Sequence, residues 1–153
     1  MRVPFIVRWP AKIPAGQVSS EIVTAMDLLP TIAGIVGAKV PNDRIIDGHD
    51  VWPVLSGEPG AKSPTEAFYY YRDDRLQAVR NGKWKLHVYR PESGTTRLLF
   101  NLEDDIGETT DVSGLYPEVV ARLEKLADKA REDMGDVVTG HKGNNVRPVG
   151  ELK

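Results

Sequence analysis

The chain has 153 residues, of which 41% are hydrophobic and 27% are charged, with a formal net charge of -2 and 0 cysteines. This composition argues against intrinsic disorder, and no apolar run reaches the roughly 20 residues that a membrane-spanning helix needs. The charge argues against nucleic acid as the main partner, and the lack of cysteine excludes disulfides, thiolate nucleophiles and zinc-thiolate sites.

The N-terminal part predicts a strand, a helix and a long connection. Val3–Trp9 is rich in β-forming residues, which predicts a short and largely buried strand. No obvious partner follows it, so it is either the edge of a small sheet or a strand of a larger one. Asp27 is expected to be the N-cap of a helix over Leu28–Val36, and Val51–Leu55 to form a buried turn or short helix.

The central part predicts a sheet with a helical cover. Ala67–Tyr89 has apolar residues alternating with polar ones, with a hairpin turn at Asn81–Gly82, and Arg97–Leu102 predicts a further strand. Pro117–Met134 has apolar residues at helical spacing. We therefore expect an α+β domain in which one long helix covers the apolar face of an antiparallel sheet.

A domain boundary is expected in the proline- and glycine-rich stretch near Pro59–Pro64. It divides the chain into residues 1–60, residues 61–136 and a tail over residues 137–153. Because the tail has no apolar periodicity, it either wraps a surface or is disordered.

The three histidines do not predict a metal site. His49, His87 and His141 each lack a second ligand at metal-like spacing. His87 is in opposite register to Leu86 and Val88, which predicts that it lies on the exposed face of the sheet.

Two groups of acidic residues are expected to be ordinary turn residues. Asp73–Asp74 and Glu103–Asp105 could in principle bind calcium or perform acid-base chemistry, but adjacent acids in loops are usually solvated. No serine has the local sequence of a hydrolase nucleophile.

A cluster of tyrosines and arginines is the main candidate binding surface. Strand alternation sends Tyr70 to one face and Tyr69 and Tyr71 to the other, so at least one phenol should meet solvent beside Arg72 and Arg75. Such a group can hold a sugar ring or an anion. Core packing of the tyrosines is the simpler interpretation.

Several stretches, in the same order, resemble the C-terminal part of the sulfatase family of the alkaline phosphatase superfamily. The segment FYYYRDDRLQAVR looks most similar to the branch of arylsulfatase A and N-acetylgalactosamine-6-sulfatase, and the tail HKGNNVRPVG to the end of bacterial members. The other stretches are RVPFIVRWPAKIPAG at Arg2–Gly16, MDLLPTIAGIVG at Met26–Gly37, IDGHDVWPVLSG at Ile46–Gly57, RNGKWKLH at Arg80–His87 and LFNLEDDIGET at Leu99–Thr109.

The resemblance implies a fold. The part matching Ala67–Met134 should form a small four-stranded antiparallel sheet packed by the C-terminal helix. Residues 1–60 should be a strand, a helix and a connecting loop belonging to the larger α/β catalytic domain. Val3–Trp9 would then be a strand of the large sheet, and its uncovered edge would favour self-association.

The resemblance also implies a chemistry that this chain does not carry. Sulfatases use a Cys or Ser in a Cys/Ser-X-Pro-X-Arg motif, converted to formylglycine, together with a divalent cation, usually calcium. These motifs precede the position matching Arg2, and this chain contains neither form of the motif. We expect no catalytic residue, metal ligand or cofactor here, and predict that the chain alone is inactive while its parent hydrolyses sulfuric esters.

The role left for this chain is to form part of the rim of the substrate pocket. Its expected partner is the missing N-terminal catalytic domain, and the parent would also bind a sulfated substrate. The resemblance suggests that the parent is secreted or periplasmic, and neither nucleic acid nor a membrane is an expected partner. Two alternatives stay open: a stand-alone glycan- or protein-binding module, and a segment of a related phosphate or phosphonate ester hydrolase. The candidate rim residues are Tyr69, Tyr71, Arg72, Arg75, His141, Lys142 and Arg147.

Overall fold

The structure is a computed structural model that describes residues 3–146. Its contacts divide the chain into two units, Met1–Glu66 and Ala67–Lys153. Each unit is described by itself below.

The first unit contains two short helices and little other regular structure. A single 3-10 turn at Ala25–Asp27 leads into helix α1, Leu28–Val36, and helix α2 follows at Trp52–Ser56. The predicted helix over Leu28–Val36 and the predicted short helix near Val51 are thereby confirmed. Val51 itself is fully buried.

The predicted strand at Val3–Trp9 is wrong for this chain. These residues have no strand assignment and are exposed, with Val3 at 75% and Ile6 at 90% of their full accessibility. A strand needs a neighbour whose backbone completes its ladder of hydrogen bonds, and among the described residues none pairs with this segment. Only its end has an aromatic contact, with Trp9 packed 5.6 Å from Trp52 between ring centroids.

Asp27 occupies the N-cap position of α1, as predicted. Asp27 precedes α1, but its carboxylate makes no capping bond to that helix. It accepts hydrogen bonds instead from the backbone N–H groups of Thr24, at 2.6 Å, and His49, at 2.8 Å. Since Asp27 is only 1% exposed, this buried carboxylate ties α1 to the loop before α2.

The second unit is the predicted sheet and helix. Four antiparallel strands lie in the order β1-β2-β3-β4, and helix α3 crosses the sheet. This confirms the α+β class and the four-stranded sheet. The strands are β1, Phe68–Arg72; β2, Arg75–Asn81; β3, Trp84–Arg90; and β4, Gly94–Asn101; helix α3 is Pro117–Met134.

The local sequence explains where these elements begin and end. Gly82 has a left-handed backbone, with φ of 56°, and forms the predicted hairpin turn between β2 and β3. Strand β4 begins at Gly94, earlier than predicted, because the polar turn after β3 is shorter than the sequence suggested. Pro117 occupies the first turn of α3, and Gly135 ends the helix with φ of 87°.

One face of the sheet and one face of α3 form the core. Tyr69, Val79, Leu86 and Leu99 are cross-strand neighbours in successive strands. The buried members of this core are Leu76, Val79, Leu86, Val88, Leu99, Val120, Leu123, Leu126, Ala127 and Ala130. Burying one such aliphatic side chain contributes about 1.5–3 kcal/mol, so this interface is the main source of stability in the unit.

The described part of the tail, residues 137–146, folds back along the end of α3. Asp136 and His141 pair as an isolated antiparallel bridge, so the chain turns back directly after the helix. The backbone N–H groups of Asn144 and Asn145 then donate to the carbonyls of Glu132 and Asp133, both at 2.9 Å. Residues 147–153 lie outside the described part of the chain.

Candidate functional site

The β1–β2 hairpin ends in a tight turn that carries two arginines. Arg72 and Arg75 are the last cross-strand pair, and Asp73 and Asp74 between them have left-handed backbones, with φ of 51° and 58°. The two guanidinium groups lie 3.8 and 3.9 Å from the same Asp73 carboxylate. The side chains of Arg72 and Asp73 are both 73% exposed, and that of Arg75 is 44% exposed. The turn therefore presents two solvated cations around one solvated carboxylate.

A shallow groove of about 170 Å³ starts at this turn and runs along the ends of the neighbouring strands. Its polar walls come from the turn itself and its aromatic wall from the end of β3. The lining residues are Arg72, Asp73, Arg75, Gln77, Tyr89 and Pro91.

Two of the predicted rim tyrosines face the core. Tyr69 and Tyr71 both pack against the sheet-helix core. The Tyr71 hydroxyl lies 2.9 Å from the carbonyl oxygen of Gly135 and 3.2 Å from that of Ala130. Burial, reinforced by the negative charge of Asp136, raises the pKa of Tyr71 to about 12. The neutral Tyr71 hydroxyl thus donates a hydrogen bond that connects the β1–β2 hairpin with the end of α3.

The structure brings the other predicted rim segment against the same turn. The backbone N–H of Val137 donates to the carbonyl oxygen of Asp74 at 3.1 Å. His141 and Lys142 are exposed in the turn that follows, and Arg147 lies outside the described residues. The hairpin tip and the segment after α3 therefore form one continuous surface, although they are far apart in the sequence.

A second cluster of charged residues lies on the sheet face opposite α3. The Glu108 carboxylate contacts the Lys85 ammonium through one oxygen and the His87 Nε2 through the other, both at 2.5 Å. We call Lys85, His87 and Glu108 the Glu108 cluster. The Lys85 side chain is only 7% exposed, His87 16% and Glu108 22%. The Lys85 ammonium also lies 4.6 Å from the centre of the Tyr70 ring.

The expectation that His87 lies on an exposed face is therefore half wrong. His87 does project away from Leu86, but this second face is covered as well, because Ala78 and Phe100 on it are 1% and 3% exposed. The loop after β4 brings Glu108 over this face, with a left-handed backbone angle of 55° at that residue. The alternation of β3 could place Lys85 and His87 on one side, but no local pattern linked them to a glutamate in a distant loop.

The protonation states within the Glu108 cluster follow from burial and charge. Burial lowers the pKa of His87 and outweighs the opposing effect of its bond to Glu108. Burial alone would raise the pKa of Glu108, but the bonds from Lys85 and His87 outweigh it, and its pKa is lowered. The cluster therefore holds a carboxylate, an ammonium and a neutral imidazole whose Nε2–H donates to Glu108. This arrangement holds the loop that carries Glu108 on the sheet.

The polar contacts described in the first unit connect α1 with the loop before α2. His49 has its Nδ1 3.9 Å from the Asp27 carboxylate, which is too long for a hydrogen bond, and its side chain is 50% exposed. Thr31 accepts a hydrogen bond from the Val51 N–H at 3.0 Å. These contacts connect α1 with the loop before α2 and explain the burial of Asp27 without chemistry.

Within residues 3–146, no group of three or more acidic, histidine or cysteine side chains is arranged to hold a metal ion. The same part of the chain has no helix long and apolar enough to cross a membrane. The sequence has 0 cysteines and no Ser-X-Pro-X-Arg stretch, so it lacks the residue from which the resemblance implies that formylglycine is made.

Comparison with known protein families gives a match over most of the chain. Residues 1–133 match the family model described as N-sulphoglucosamine sulphohydrolase, C-terminal. The match spans both units, from the exposed N-terminal segment to nearly the end of α3.

Curated relatives match over nearly the same length. Arylsulfatase D from Homo sapiens is 32% identical over 170 aligned residues, which cover 90% of this chain and 28% of the relative. N-acetylgalactosamine-6-sulfatase from Canis lupus familiaris is 30% identical over 174 aligned residues, covering 95% of this chain and 33% of the relative. The chain thus spans about a third or less of the length of these relatives.

The fold also matches a solved structure. The crystal structure of the PsFucS1 sulfatase from Pseudoalteromonas sp. superposes with a TM-score of 0.68 at 19% sequence identity, covering 91% of this chain and 30% of that one. At this identity the likeness concerns the fold alone.

Proposed function

Because the chain belongs to the family of N-sulphoglucosamine sulphohydrolase C-terminal domains, we propose that it is the C-terminal segment of a sulfatase. The longer protein would hydrolyse sulfuric esters, as the names of its arylsulfatase and N-acetylgalactosamine-6-sulfatase relatives state for them. The observation that carries the proposal is the family match over residues 1–133, which includes both units.

The catalytic step would belong to the part of the longer protein that precedes this segment. Cleavage of a sulfate ester requires an activated nucleophile and cations that neutralise the developing charge, held together in one site. This chain has 0 cysteines and no Ser-X-Pro-X-Arg sequence, so it cannot supply the nucleophile of the family. Formylglycine and calcium are accordingly assigned to the parent, and residues 1–60 to the edge of its catalytic domain.

The exposed apolar residues of the first unit support this assignment. Leu29, Ile32 and Val36 on α1 are 54%, 55% and 68% exposed, and Ile6 is 90% exposed. Leu29, Ile32 and Val36 follow one another at helical spacing and so lie on one side of α1, and an exposed apolar stripe of this kind supports an interface at that side. The missing catalytic domain is the proposed cover, and self-association through Val3–Trp9 is what we expect when that cover is absent.

The second unit would contribute to the rim of the substrate pocket. Its candidate residues are the exposed cations Arg72 and Arg75 at the hairpin turn and His141 and Lys142 beside it. Tyr69 and Tyr71 support these residues from the core side, since both pack against the core. Cations at a pocket rim raise the local concentration of a polyanionic substrate without taking part in the bond cleavage.

The proposal is tested by comparing the chain with the longer protein that contains it. Each is assayed with 4-methylumbelliferyl sulfate in the presence of calcium. We expect hydrolysis by the longer protein and none by the chain alone. A longer protein in which the Cys or Ser of the nucleophile motif is replaced by Ala serves as the control for contaminating activity. Turnover by the isolated chain, or cleavage by the longer protein of phosphate esters but not of sulfate esters, would contradict the proposal.

A stand-alone binding module is the second candidate. It is favoured by one observation: the buried core cluster draws all its members from the sheet and helix of the second unit, so this unit has a complete core of its own. In that case residues 67–146 expressed alone should fold cooperatively and bind the same glycans as the whole chain.

A further inference from the structure

The groove at the β1–β2 turn has the features of a binding site for an anion carried on a ring. We propose that it binds a sulfated sugar, with Arg72 and Arg75 on the sulfate and Tyr89 against the sugar ring. The identity of this ligand as a substrate unit rests on the proposed function, whereas the binding itself can be measured on this chain. Gln77 and Tyr89 line the same groove, although the sequence pattern suggested neither of them.

The charge arrangement at the turn is the first argument. Arg72 and Arg75 lie directly opposite each other at the end of the ladder, and like charges in such a pair are destabilising. The single carboxylate between them, Asp73, lies 3.8 and 3.9 Å away, beyond hydrogen-bonding distance. Within residues 3–146, neither guanidinium group makes a closer contact with an acceptor. Both therefore retain donors that can bind an oxyanion in the bidentate mode typical of arginine.

The backbone of the turn is the second argument. Asp73 and Asp74 both have positive φ, which is costly for residues other than glycine, asparagine and aspartate. The conformation is held in place by the Val137 N–H, which donates to the Asp74 carbonyl at 3.1 Å. Arg72 and Arg75 are a cross-strand pair, so a fixed turn keeps them on one side of the hairpin, and an anion would have to order only their side chains on binding.

The walls of the groove are the third argument. Gln77 is skipped in the pairing with β1, because the register shifts between Tyr70, which pairs with Ala78, and Tyr71, which pairs with Leu76. A second shift lies next to Tyr89, in the pairing of β3 with β4. Such bulges redirect side chains. The two shifts lie at Gln77 and next to Tyr89, whose amide and half-buried aromatic ring line one groove of about 170 Å³. An aromatic ring and an amide beside two cations suit a sugar that carries a sulfate.

A substitution of Asp73 tests the proposal, because it should strengthen binding of the sulfated sugar. Its carboxylate lies between the two arginines and competes with an incoming sulfate for them. Asp73→Asn removes this negative charge and keeps a residue that tolerates positive φ. We therefore expect this variant to bind the sulfated sugar about threefold more tightly, a result that damage to the fold would not produce.

The measurement is the dissociation constant of the 153-residue chain for N-acetylgalactosamine-6-sulfate, obtained by NMR titration at low salt. Arg75→Ala and Tyr89→Leu should each weaken binding by about five- to tenfold. Lys129→Ala, which removes an exposed positive charge from α3, is the matched control and should leave binding unchanged. Raising the salt to about 1 M should weaken binding by the wild-type chain.

The ligand series decides whether the sugar is recognised. N-acetylgalactosamine-6-sulfate should bind more tightly than either N-acetylgalactosamine or inorganic sulfate, and the amide shifts should centre on Gln77 and Tyr89. If inorganic sulfate bound with the same affinity as N-acetylgalactosamine-6-sulfate, the proposed contact between Tyr89 and the sugar ring would be refuted. Absence of binding, or equal weakening by Lys129→Ala, would overturn the site as a whole. These failures would not affect sulfate-ester hydrolysis by the longer protein, which is measured separately.

Discussion

The Glu108 cluster is predicted to hold the loop after β4 on the sheet, and Glu108→Gln tests this directly. The substitution keeps the shape of the side chain but leaves the Lys85 ammonium, 7% exposed, without its counter-charge. Removing one partner of a buried ion pair costs about 3–5 kcal/mol. Because Glu108 is 22% exposed, water and the remaining amide oxygen offset part of this cost. We expect a loss of about 2–3 kcal/mol in the free energy of unfolding.

The assay is urea denaturation followed by circular dichroism, with the denaturation midpoint converted to free energy at constant slope. Glu103→Gln is the matched control, because Glu103 is in the same loop, lies 3.5 Å from Lys83 and is 69% exposed in its side chain. It should cost no more than about 0.5 kcal/mol. The double variant Lys85→Met/Glu108→Gln should be more stable than Glu108→Gln alone, since it removes the orphaned charge.

Equal effects of Glu108→Gln and Glu103→Gln would refute this reasoning. The reasoning would also be refuted if Lys85→Met/Glu108→Gln were destabilised by the sum of the losses in Lys85→Met and Glu108→Gln, because Lys85 and Glu108 would then not be coupled.

Three further predictions concern the second unit. Burial lowers the pKa of His87 in the folded chain, so this imidazole binds a proton more readily in the unfolded chain, and the free energy of unfolding should fall as the pH drops below about 6.5. The pKa of Glu108 is also lowered in the folded chain, which adds a further loss as the pH falls below about 4.5. Urea midpoints at pH 7.5, 6, 5 and about 4 should show this trend, and His87→Gln should remove the part between pH 7.5 and 5. Identical pH profiles for the wild-type chain and His87→Gln would contradict the prediction. Tyr71→Phe removes the donor to the Gly135 carbonyl and should cost about 1–2 kcal/mol in urea denaturation, whereas an unchanged midpoint would show that this bond contributes nothing. Leu123→Ala empties a fully buried site and should cost about 2–5 kcal/mol, and a thermal scan that shows a smaller loss than Tyr71→Phe would exclude the assigned core.

The sheet and the long helix were predictable because their signals are local. Period-two alternation in the strands, the glycine at the β2–β3 turn and the helical spacing of Leu123, Leu126 and Ala127 each depend on neighbours along the chain. Both ends of α3 were also predictable, since Pro117 and Gly135 act through their own backbone preferences. These short-range rules predicted antiparallel strands with one covering helix, whereas the number of strands was an expectation from the family resemblance.

The errors arose where a residue depends on a distant partner. Val3–Trp9 has the composition of a strand, but composition cannot supply the neighbouring backbone that a strand requires. Asp27 does occupy the predicted N-cap position, but its carboxylate bonds to the N–H of His49, a residue 22 positions further along the chain, and no local pattern indicated this partner. His87 looked exposed because the loop that carries Glu108 over it has no pattern that reveals its path.

The candidate binding surface was only partly predictable. The exposed arginines at the hairpin turn were visible in the sequence as a charged pair next to turn residues. The roles of Tyr69 and Tyr71 as core residues followed the simpler interpretation of the alternation. Gln77 and Tyr89 were not predictable, since they line the groove through shifts in strand pairing that the sequence does not mark.

The central claim is that this chain is the C-terminal segment of a sulfatase whose catalytic residues precede it. The most direct measurement is to sequence the gene upstream of the Met1 codon. We predict an open frame that continues into a Cys-X-Pro-X-Arg or Ser-X-Pro-X-Arg motif with aspartate-rich metal ligands. A stop codon and a start site directly before Met1 would contradict the claim and leave a binding module whose ligand must be sought at the β1–β2 turn.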